Sequence, residues 1–408
     1  MAASPARRTA FDILRQVERG GYASDLLRLQ TGKLSARDAG LAGEIVFGVL
    51  RRQAQLDYLL RHFSGRDPGK LDLEVRLAFR IGVYQICYLD RVPRHAAVND
   101  SVELVKRAHK RSAAGLVNAV MRKVKPGPLR WPDRETELSQ PAWLLENWER
   151  LFGVDGAREV AAAFLEAPQT YIRVPAGREA EAQGLKIEKT ETPGCYRLLD
   201  GPAGGFRQQD ISSQAIVPLL ELEPGSRLLD LCAPPGNKTA QALETPIEAV
   251  SCDISLDRLR GLRELGIPLV NLDATAVLPF RAGFDRILVD APCSGTGTIG
   301  RNPEIKWRIQ PSDLAVHHAR QVRLLRNALG RLAPGGRLVY ATCSLEREEN
   351  EQVVEEVLRE QGLGVIVERR MRRVPGAGPG DGFYAAVLVR EPFQATGASP
   401  DEREDANI

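Results

Sequence analysis

Two cysteines lie where apolar, strand-like segments end, and their type and position are suited to chemistry. Cys293 closes the segment DRILVDAPC, and Cys343 closes GGRLVYATC, 50 residues further along the chain. Neighbouring parallel strands end at one edge of a sheet, so we expect both thiols to open onto the same crevice. A free cysteine is usually a small buried hydrophobe, which suits Cys87, Cys195 and Cys252. Two thiols at one crevice instead predict reactivity.

A strand, a loop and a helix in the segment LLDLCAPPGNKTAQAL predict a site for a nucleoside cofactor. The loop is not G-x-G-x-x-G, so the dinucleotide fingerprint is excluded, but Gly236 lies where the backbone must approach a ligand closely. Asp253 ends the next strand, where a carboxylate binds both hydroxyls of a ribose. Asp273 ends the strand after that, within reach of an adenine amino group. The alternative is that these acids only cap strand ends, but their order along the chain favours the cofactor site.

A thiolate beside a nucleoside cofactor favours one reaction, methyl transfer to a pyrimidine. Carbon 5 of cytosine is a poor nucleophile, but addition of a thiolate to carbon 6 makes an enamine whose carbon 5 attacks a methyl sulfonium. A base must then remove the carbon 5 proton before the thiolate leaves. Asp290 is placed to exchange hydrogen bonds with the ring nitrogen and amino group of the base.

The attacking thiol needs a lowered pKa, because an ordinary thiol with a pKa of ~8.5 is only a few per cent ionised near neutrality. Lys238, in the cofactor loop, is a candidate to lower it by its positive charge. A helix that begins after Cys343 would also favour a thiolate, and Glu346, Glu348 and Glu349 would partly offset that effect. The residues themselves leave open which cysteine attacks and which assists release.

The elements that must position these residues alternate between strand and helix from about residue 211 onward. Apolar segments such as SRLLDLCA, IEAVSCDI and DRILVDAP are separated by helical ones such as SDLAVHHARQVRLLRNALGRL. This alternation predicts an α/β domain with a parallel, doubly wound sheet, whose site lies at the carboxyl ends of the strands.

The first third of the chain has a different character, helical throughout and strongly basic. Residues 1–130 carry 24 Lys and Arg against 12 Asp and Glu, out of 56 and 53 in the whole chain, which leaves 32 and 41 for the remainder. Residues 1–130 thus carry a net charge of +12, and the remainder of the chain carries −9. A basic bundle of this kind favours a polyanion as its partner. The alternative is that arginine-rich helices are simply well solvated.

A proline-rich stretch, KPGPLRWPDRETELSQPAW, separates the two parts. A chain of 408 residues is also long for one hydrophobic core. We therefore predict an all-α bundle followed, after a small connecting subdomain, by the α/β domain, and then by a polar tail that we expect to be disordered. The predicted boundaries are 1–128, 129–206, 207–392 and 393–408.

Several classes of protein are disfavoured by composition. We find no apolar run near the ~20 residues of a membrane span and no apolar stretch of a signal peptide near the N-terminus. Six cysteines without paired spacing do not indicate disulfides, and five scattered histidines without C-x-x-C do not indicate zinc. We expect a cytoplasmic monomer that uses neither metal nor membrane.

The motifs closely resemble those of a known family. LDLCAPPGNKT, VDAPCSGTGTIGRNPEIKW and VYATCSLEREENE are similar to the motifs of RNA cytosine-5 methyltransferases of the Sun/nucleolar-protein type. The helical N-terminus, with RIGVYQICYLDRVPRHAAVNDSVELVK and GLVNAVMRKV, resembles the NusB-like RNA-binding domain of the bacterial RsmB-type branch. The resemblance covers nearly the whole chain, and the pair Asp-Ala-Pro-Cys and Thr-Cys-Ser is its most specific part.

The resemblance implies a NusB-like bundle joined to a Rossmann-like methyltransferase domain, with S-adenosylmethionine as cofactor. It implies a cytosine of 16S ribosomal RNA, unassembled or partly assembled, as substrate. Cys343 would be the nucleophile and Cys293 would assist release of the product, with Lys238 and Asp290 beside them. The residues implied to bind the cofactor are Cys232, Ala233, Pro234, Pro235, Gly236, Asn237, Lys238, Asp253, Asp273 and Asp290. The family's commoner loop is Ala-Ala-Pro-Gly-Gly-Lys, and we expect Asn237 to replace its second glycine because Asn tolerates a left-handed backbone.

Other functions remain as alternatives. The same chemistry on tRNA or 23S rRNA is one, and a DNA cytosine-5 methyltransferase, with Cys293 as attacker and Cys343 idle, is another. An amino-group methyltransferase is disfavoured because DAPCSG lacks the aromatic residue that stacks the base in such sites. A non-catalytic RNA-binding assembly factor would keep the fold without the reaction.

Overall fold

The computed structural model describes residues 3–127, 130–360 and 364–392. The tail that we predicted to be disordered, 393–408, lies outside them. The helices are α1 Pro5–Val17, α2 Ala23–Gln30, α3 Ala36–Arg51, α4 Gln53–Ser64, α5 Leu73–Tyr88, α6 Arg94–Arg107, α7 Ala114–Lys123, α8 Arg134–Leu138, α9 Ala142–Ala163, α10 Ile211–Gln214, α11 Asn237–Ala242, α12 Leu256–Arg260, α13 Ile305–Arg308, α14 Pro311–Leu329 and α15 Glu351–Glu360. The strands are β1 Thr170–Arg173, β2 Lys186–Lys189, β3 Cys195–Asp200, β4 Arg207–Gln208, β5 Arg227–Asp230, β6 Glu248–Asp253, β7 Leu269–Asn271, β8 Phe284–Asp290, β9 Leu332–Thr342, β10 Val365–Arg373 and β11 Phe383–Arg390.

Helices α1 to α7 form a bundle around one apolar core, as the helical periodicity predicts. Helix α5 is its centre, because its residues are buried on almost every face. Close packing of α3 against α5 depends on Gly48, where an added Cβ would lie 1.9 Å from the ring of Tyr84. The bundle is thus assembled from interlocking side chains as well as from amphipathic stripes.

A small antiparallel sheet in the order β2-β3-β1-β4 follows α8 and α9. The helix pair within α9 is bent at Gly153, whose φ of 75° belongs to the left-handed region that favours glycine. The sequence predicts a connecting subdomain here but not the pairing of these strands. Strands β2 and β3 are short, half-exposed and rich in charge, so they lack the alternating apolar pattern of a half-buried strand.

The α/β part contains the sheet β10-β11-β9-β8-β5-β6-β7, covered on both faces by apolar clusters. Strands β5 to β9 are parallel, as predicted, but β11 pairs antiparallel with β9, and β10 pairs antiparallel with β11. The expectation of an entirely parallel sheet is therefore wrong at this edge. A short connection between β10 and β11 allows a hairpin, whereas a parallel pair needs a long crossover.

The bundle is held to the α/β part by the segment 300–308. The guanidinium of Arg51 donates to the Gly300 carbonyl at 2.9 and 3.1 Å, and Lys306 Nζ donates to the Arg51 carbonyl at 2.8 Å. The indole of Trp307 donates to the Leu50 carbonyl at 2.9 Å. Burial, with Arg51 nearby, holds the pKa of Lys306 well below its usual range. This desolvated contact links the bundle directly to the loop that follows Cys293.

Among the helices that the structure describes, none is long and apolar enough to cross a membrane. Within residues 3–127, 130–360 and 364–392, no group of three or more His, Cys, Asp or Glu side chains is arranged to hold a metal ion.

Candidate active site

The two cysteines lie just beyond the carboxyl ends of the adjacent parallel strands β8 and β9. The register pairs Asp290 of β8 with Ala341 of β9, so the loops that leave these strands begin side by side. The Sγ atoms of Cys293 and Cys343 are 3.4 Å apart, and both residues are half-buried. We expected both thiols to open onto one crevice, and the structure places them side by side at one edge of the sheet.

The two thiols form a hydrogen bond in which either sulfur atom can be the donor. The hydrogen bond to Cys343, then burial, and then the charges of Cys343 and Glu349 hold the pKa of Cys293 well above its usual range. The Cys293 thiol therefore resists ionisation while Cys343 lies beside it.

A crossing of three backbone segments fixes the position of Cys343. Gly297 N donates to the Cys343 carbonyl at 2.9 Å, and Gly382 N donates to the Gly297 carbonyl at 2.8 Å. An added Cβ on Gly297 would lie 2.3 Å from the Gly382 oxygen and 2.8 Å from the Cys343 oxygen. The glycine in CSGTG is therefore required by this close approach of backbones.

Lys238 and Asp290 form an ion pair at the same edge of the sheet. Lys238 Nζ donates to Asp290 Oδ2 at 2.6 Å and lies 5.2 Å from the centre of the Phe383 ring. The side chain of Lys238 is 10% exposed and that of Asp290 29% exposed. Lys238 thus shares its charge with Asp290, and it holds that carboxylate in a fixed orientation.

The cofactor loop runs from Cys232 to Lys238 and turns sharply before α11. The peptide bond between Pro234 and Pro235 is cis, and Gly236, with a φ of 92°, immediately precedes the helix. Asn237 begins the helix and is not left-handed, so our reason for the Asn substitution is wrong. Its side chain instead donates to the Gln208 carbonyl at 3.1 Å, which ties the loop to β4.

The acids of neighbouring strands have different surroundings. Asp253 ends β6 with a buried carboxylate that accepts from Ser255 N at 2.7 Å and lies 3.5 Å from Arg258. Asp273, after β7, is exposed and accepts from Thr275 N at 2.9 Å and from its hydroxyl at 2.7 Å. Both acids therefore cap the turns that follow their strands, which is compatible with either interpretation of them.

Asp230, at the end of β5, is buried beneath the cofactor loop. Its Oδ2 accepts from the Thr239 hydroxyl at 2.7 Å, and its Oδ1 has no hydrogen-bond partner among the described residues. Burial raises the pKa of Asp230 to about 7, although the Thr239 hydrogen bond lowers it. An unpartnered buried acceptor at this position is suited to a donor on a ligand.

A cavity of about 360 Å³ opens between the cofactor loop, the cysteine loops and the small antiparallel sheet. Its lining includes Ala233, Pro235, Lys238, Asp290 and Cys343, but Cys293 is not part of it. With Asn237, the cavity thus brings together six of the twelve predicted residues, and it distinguishes the two thiols.

Sequence reasoning missed the opposite wall of this cavity. Arg301 Nε donates to Asp381 Oδ2 and its Nη2 donates to Asp210 Oδ2, each at 2.7 Å. Burial, with Asp210 nearby, raises the pKa of Asp381 to about 7. These residues come from three distant segments, so no local spacing relates them. Arg301 lies within the motif VDAPCSGTGTIGRNPEIKW, where it served only as part of the resemblance.

Comparison with known proteins agrees with this geometry. Residues 217–389 match the model of the family described as 16S rRNA methyltransferase RsmB/F, and residues 4–126 match the NusB family. Ribosomal RNA small subunit methyltransferase B of Thermus thermophilus is 36% identical over 97% of this chain and 100% of its own length. The chain belongs to the RsmB/F family of 16S rRNA methyltransferases. The sequence-based family assignment and fold class are thereby confirmed.

Solved structures share this fold. The crystal structure of PH0851 covers 95% of this chain and 99% of its own, with a TM-score of 0.79 and 22% identity. The structure of NSun6 from Pyrococcus horikoshii with SFG covers 61% and 98% respectively, with a TM-score of 0.55 and 21% identity.

The backbone crossing at Gly297 generates a prediction. Gly297→Ala forces apart the carbonyls of Gly382 and Cys343, and we expect it to lower the free energy of unfolding by about 1–3 kcal/mol. The matched control is Gly300→Ala in the same loop, where the nearest neighbour of an added Cβ is Phe164 at 3.6 Å. Chemical denaturation of both variants measures the difference. Equal stability of the two variants would show that the crossing is not a constraint.

Proposed function

We propose that the protein transfers a methyl group from S-adenosylmethionine to carbon 5 of a cytosine in 16S rRNA, with Cys343 as nucleophile. The family to which the chain belongs methylates rRNA with S-adenosylmethionine as the methyl donor. The finer proposal depends on one observation. The two thiols are 3.4 Å apart, and Cys343 lines the cavity beside Lys238 and Asp290.

The residues of the strand ends fit S-adenosylmethionine. Asp230 Oδ1, without a partner in the described part of the chain, offers an acceptor beneath the loop, and Asp253 and Asp273 add carboxylates at the next strand ends. NSun6 of P. horikoshii, which shares the fold, was solved with SFG, an analogue of this cofactor. We propose that the residues that hold it are Cys232, Ala233, Pro234, Pro235, Gly236, Asn237 and Lys238, completed by Asp253, Asp273 and Asp290. The bound cofactor supplies an electrophilic methyl group.

Cys343 is the attacking thiol in this proposal because it lines the cavity, whereas Cys293, 3.4 Å from it, does not. Its thiolate adds to carbon 6 of the cytosine and forms a carbon–sulfur bond, which makes carbon 5 nucleophilic. Asp290, oriented by Lys238, accepts from the amino group of the base, so the ring is held with carbon 6 towards Cys343.

Cys293 completes the cycle as the base that removes the carbon 5 proton. While Cys343 is bonded to carbon 6, it can no longer accept the hydrogen bond that contributes most to the raised pKa of Cys293. Cys293 then loses its proton to solvent and takes the proton from carbon 5. Cys343 leaves as a thiolate, and the S–H of Cys293 again donates to it. One proton is released per methyl group, as the overall reaction requires.

Outside the cavity, we propose that the basic bundle binds the phosphates of the RNA. We retain the division at 1–128, 129–206 and 207–392 as part of this proposal, with the first segment as the RNA-binding domain. Duplex pairing hides the edges of a base, so the target cytosine lies in a loop, or is flipped out, in 16S rRNA that is unassembled or partly assembled. We further propose a cytoplasmic monomer.

The alternatives receive less support from the geometry. A DNA cytosine-5 methyltransferase would attack with Cys293, but the cavity is lined by Cys343. A non-catalytic binding factor would not require two thiols within hydrogen-bond distance of each other. Methylation of tRNA or 23S rRNA needs the same site, and the family of the chain favours 16S rRNA over them.

Cys343→Ala tests the attack. The variant lacks the nucleophile, so methyl transfer to unmodified 16S rRNA should fall at least about 100-fold while the affinity for S-adenosylmethionine stays unchanged. Transfer of radiolabelled methyl groups measures the first quantity and calorimetry the second. Turnover at the rate of the unsubstituted protein would exclude the mechanism.

Cys293→Ala tests the release. The variant attacks but has no base for the carbon 5 proton, so a covalent protein–RNA adduct should accumulate. A denaturing gel with labelled RNA detects the adduct as a shifted band that disappears in the Cys343→Ala, Cys293→Ala double variant. Normal turnover without a shifted band would contradict the role of Cys293.

A further inference from the structure

Glu349 is a fully buried acid that contacts both cysteine loops. Ser294, which follows Cys293, donates to the Glu349 carboxylate through its backbone N–H, at 2.8 Å to Oε1, and through its hydroxyl to Oε2. Ser344, which follows Cys343, donates its hydroxyl to the same Oε2. One carboxylate therefore joins the residues that come directly after the two reacting thiols.

Glu349 is itself held in place by α14, which binds its carboxylate, and by β9, which binds its backbone carbonyl. Gln321 Nε2 donates to Glu349 Oε1 at 3.0 Å and to the Pro292 carbonyl at 2.9 Å, so it fixes the acid and the Cys293 loop together. The Tyr340 hydroxyl donates to the Glu349 carbonyl at 2.6 Å. Every group that the structure describes in contact with the carboxylate donates a hydrogen bond to it, which is the arrangement that a buried carboxylate needs.

We propose that Glu349 is a positioning residue of the two-thiol site, which sets Cys293 against Cys343 by binding Ser294 and Ser344 at once. The proposal rests on the proposed function for the roles of the thiols, but its geometry does not depend on the substrate. Glu349 touches neither the cavity lining nor the reacting sulfur atoms in the contacts that the structure describes.

A second effect of Glu349 is electrostatic. Its negative charge is among the causes that raise the pKa of Cys293, after the hydrogen bond to Cys343 and burial. Glu349 therefore helps to keep the proton on Cys293. A residue with a purely structural role would hold the loops without biasing one thiol over the other.

Glu349→Gln separates these effects because it keeps the size of the side chain and removes its charge. The two serine hydroxyls can rotate to accept from the new amide, so we expect the variant to fold. Cys343 and Cys293 are alkylated with iodoacetamide at neutral pH, without RNA or cofactor. We expect the ratio of the Cys343 rate to the Cys293 rate to fall about tenfold, because a fall of about one unit in the pKa of Cys293 raises its thiolate fraction about tenfold. Peptide mass spectrometry of the full-length protein measures the ratio.

The same variant should also lose turnover without losing cofactor. We expect kcat for methyl transfer to fall about tenfold or more, with an unchanged KM for S-adenosylmethionine. The matched control is Glu348→Gln, the preceding acid in the same turn, for which both the alkylation ratio and kcat should equal those of the unsubstituted protein. An unchanged ratio and kcat in a folded Glu349→Gln protein would overturn the proposal.

Ser294→Ala is a second variant, which removes one hydroxyl from Glu349 and retains the backbone bond. It leaves the charge of Glu349 in place, so the alkylation ratio should stay within about twofold of the unsubstituted protein while kcat falls about threefold, and an unchanged kcat here would count against the positioning role. The alkylation test is independent of the reaction. If the unsubstituted protein did not methylate carbon 5, the proposed function would fail, and the shifted ratio would still establish the positioning role.

Discussion

The rest of the site depends on the hydrogen bond between the thiols of Cys293 and Cys343. With the two sulfur atoms 3.4 Å apart, a proton on one is shared with the other, and burial makes the position of that proton matter. The pair cannot be formed by a single loop. It requires two strands that end at the same level, which the parallel register of β8 and β9 supplies.

The surrounding structure keeps those two loops together. Gly297 permits the backbone crossing at Cys343, and Glu349 binds the residue after each cysteine. The same loop continues into Lys306 and Trp307, which bond to the backbone of the helical bundle. One continuous segment therefore positions both the bundle and the loop that carries Cys293.

The sequence predicted those parts that have a local signal. Apolar segments identified β5, β6, β8 and β9, and the motifs identified the family. Strand β10 was missed because it is an exposed edge strand in which arginine replaces the apolar alternation. The antiparallel pairing of β11 was missed because pairing direction depends on the length of the connection and not on the strand itself.

The missed parts of the site have the same physical origin. Asp381 and Arg301 meet only in the folded chain, so their spacing carries no signal. Glu349 was first interpreted as a charge that offsets a thiolate at Cys343, because its sequence neighbourhood gave no hint of Ser294. Its carboxylate accepts from the N–H of Ser294, next to Cys293, and its charge contributes to the raised pKa of that thiol. Long-range contacts of this kind carry no local signal in the sequence.

The central claim is that the two thiols serve methylation of carbon 5 of cytosine in 16S rRNA. Bisulfite sequencing of unmodified 16S rRNA, treated with the purified protein and S-adenosylmethionine, tests it most directly. We predict that one cytosine of the treated RNA resists conversion by bisulfite and that the same cytosine is converted when the cofactor is omitted. Incorporation of labelled methyl groups into the RNA without any protected cytosine would contradict it.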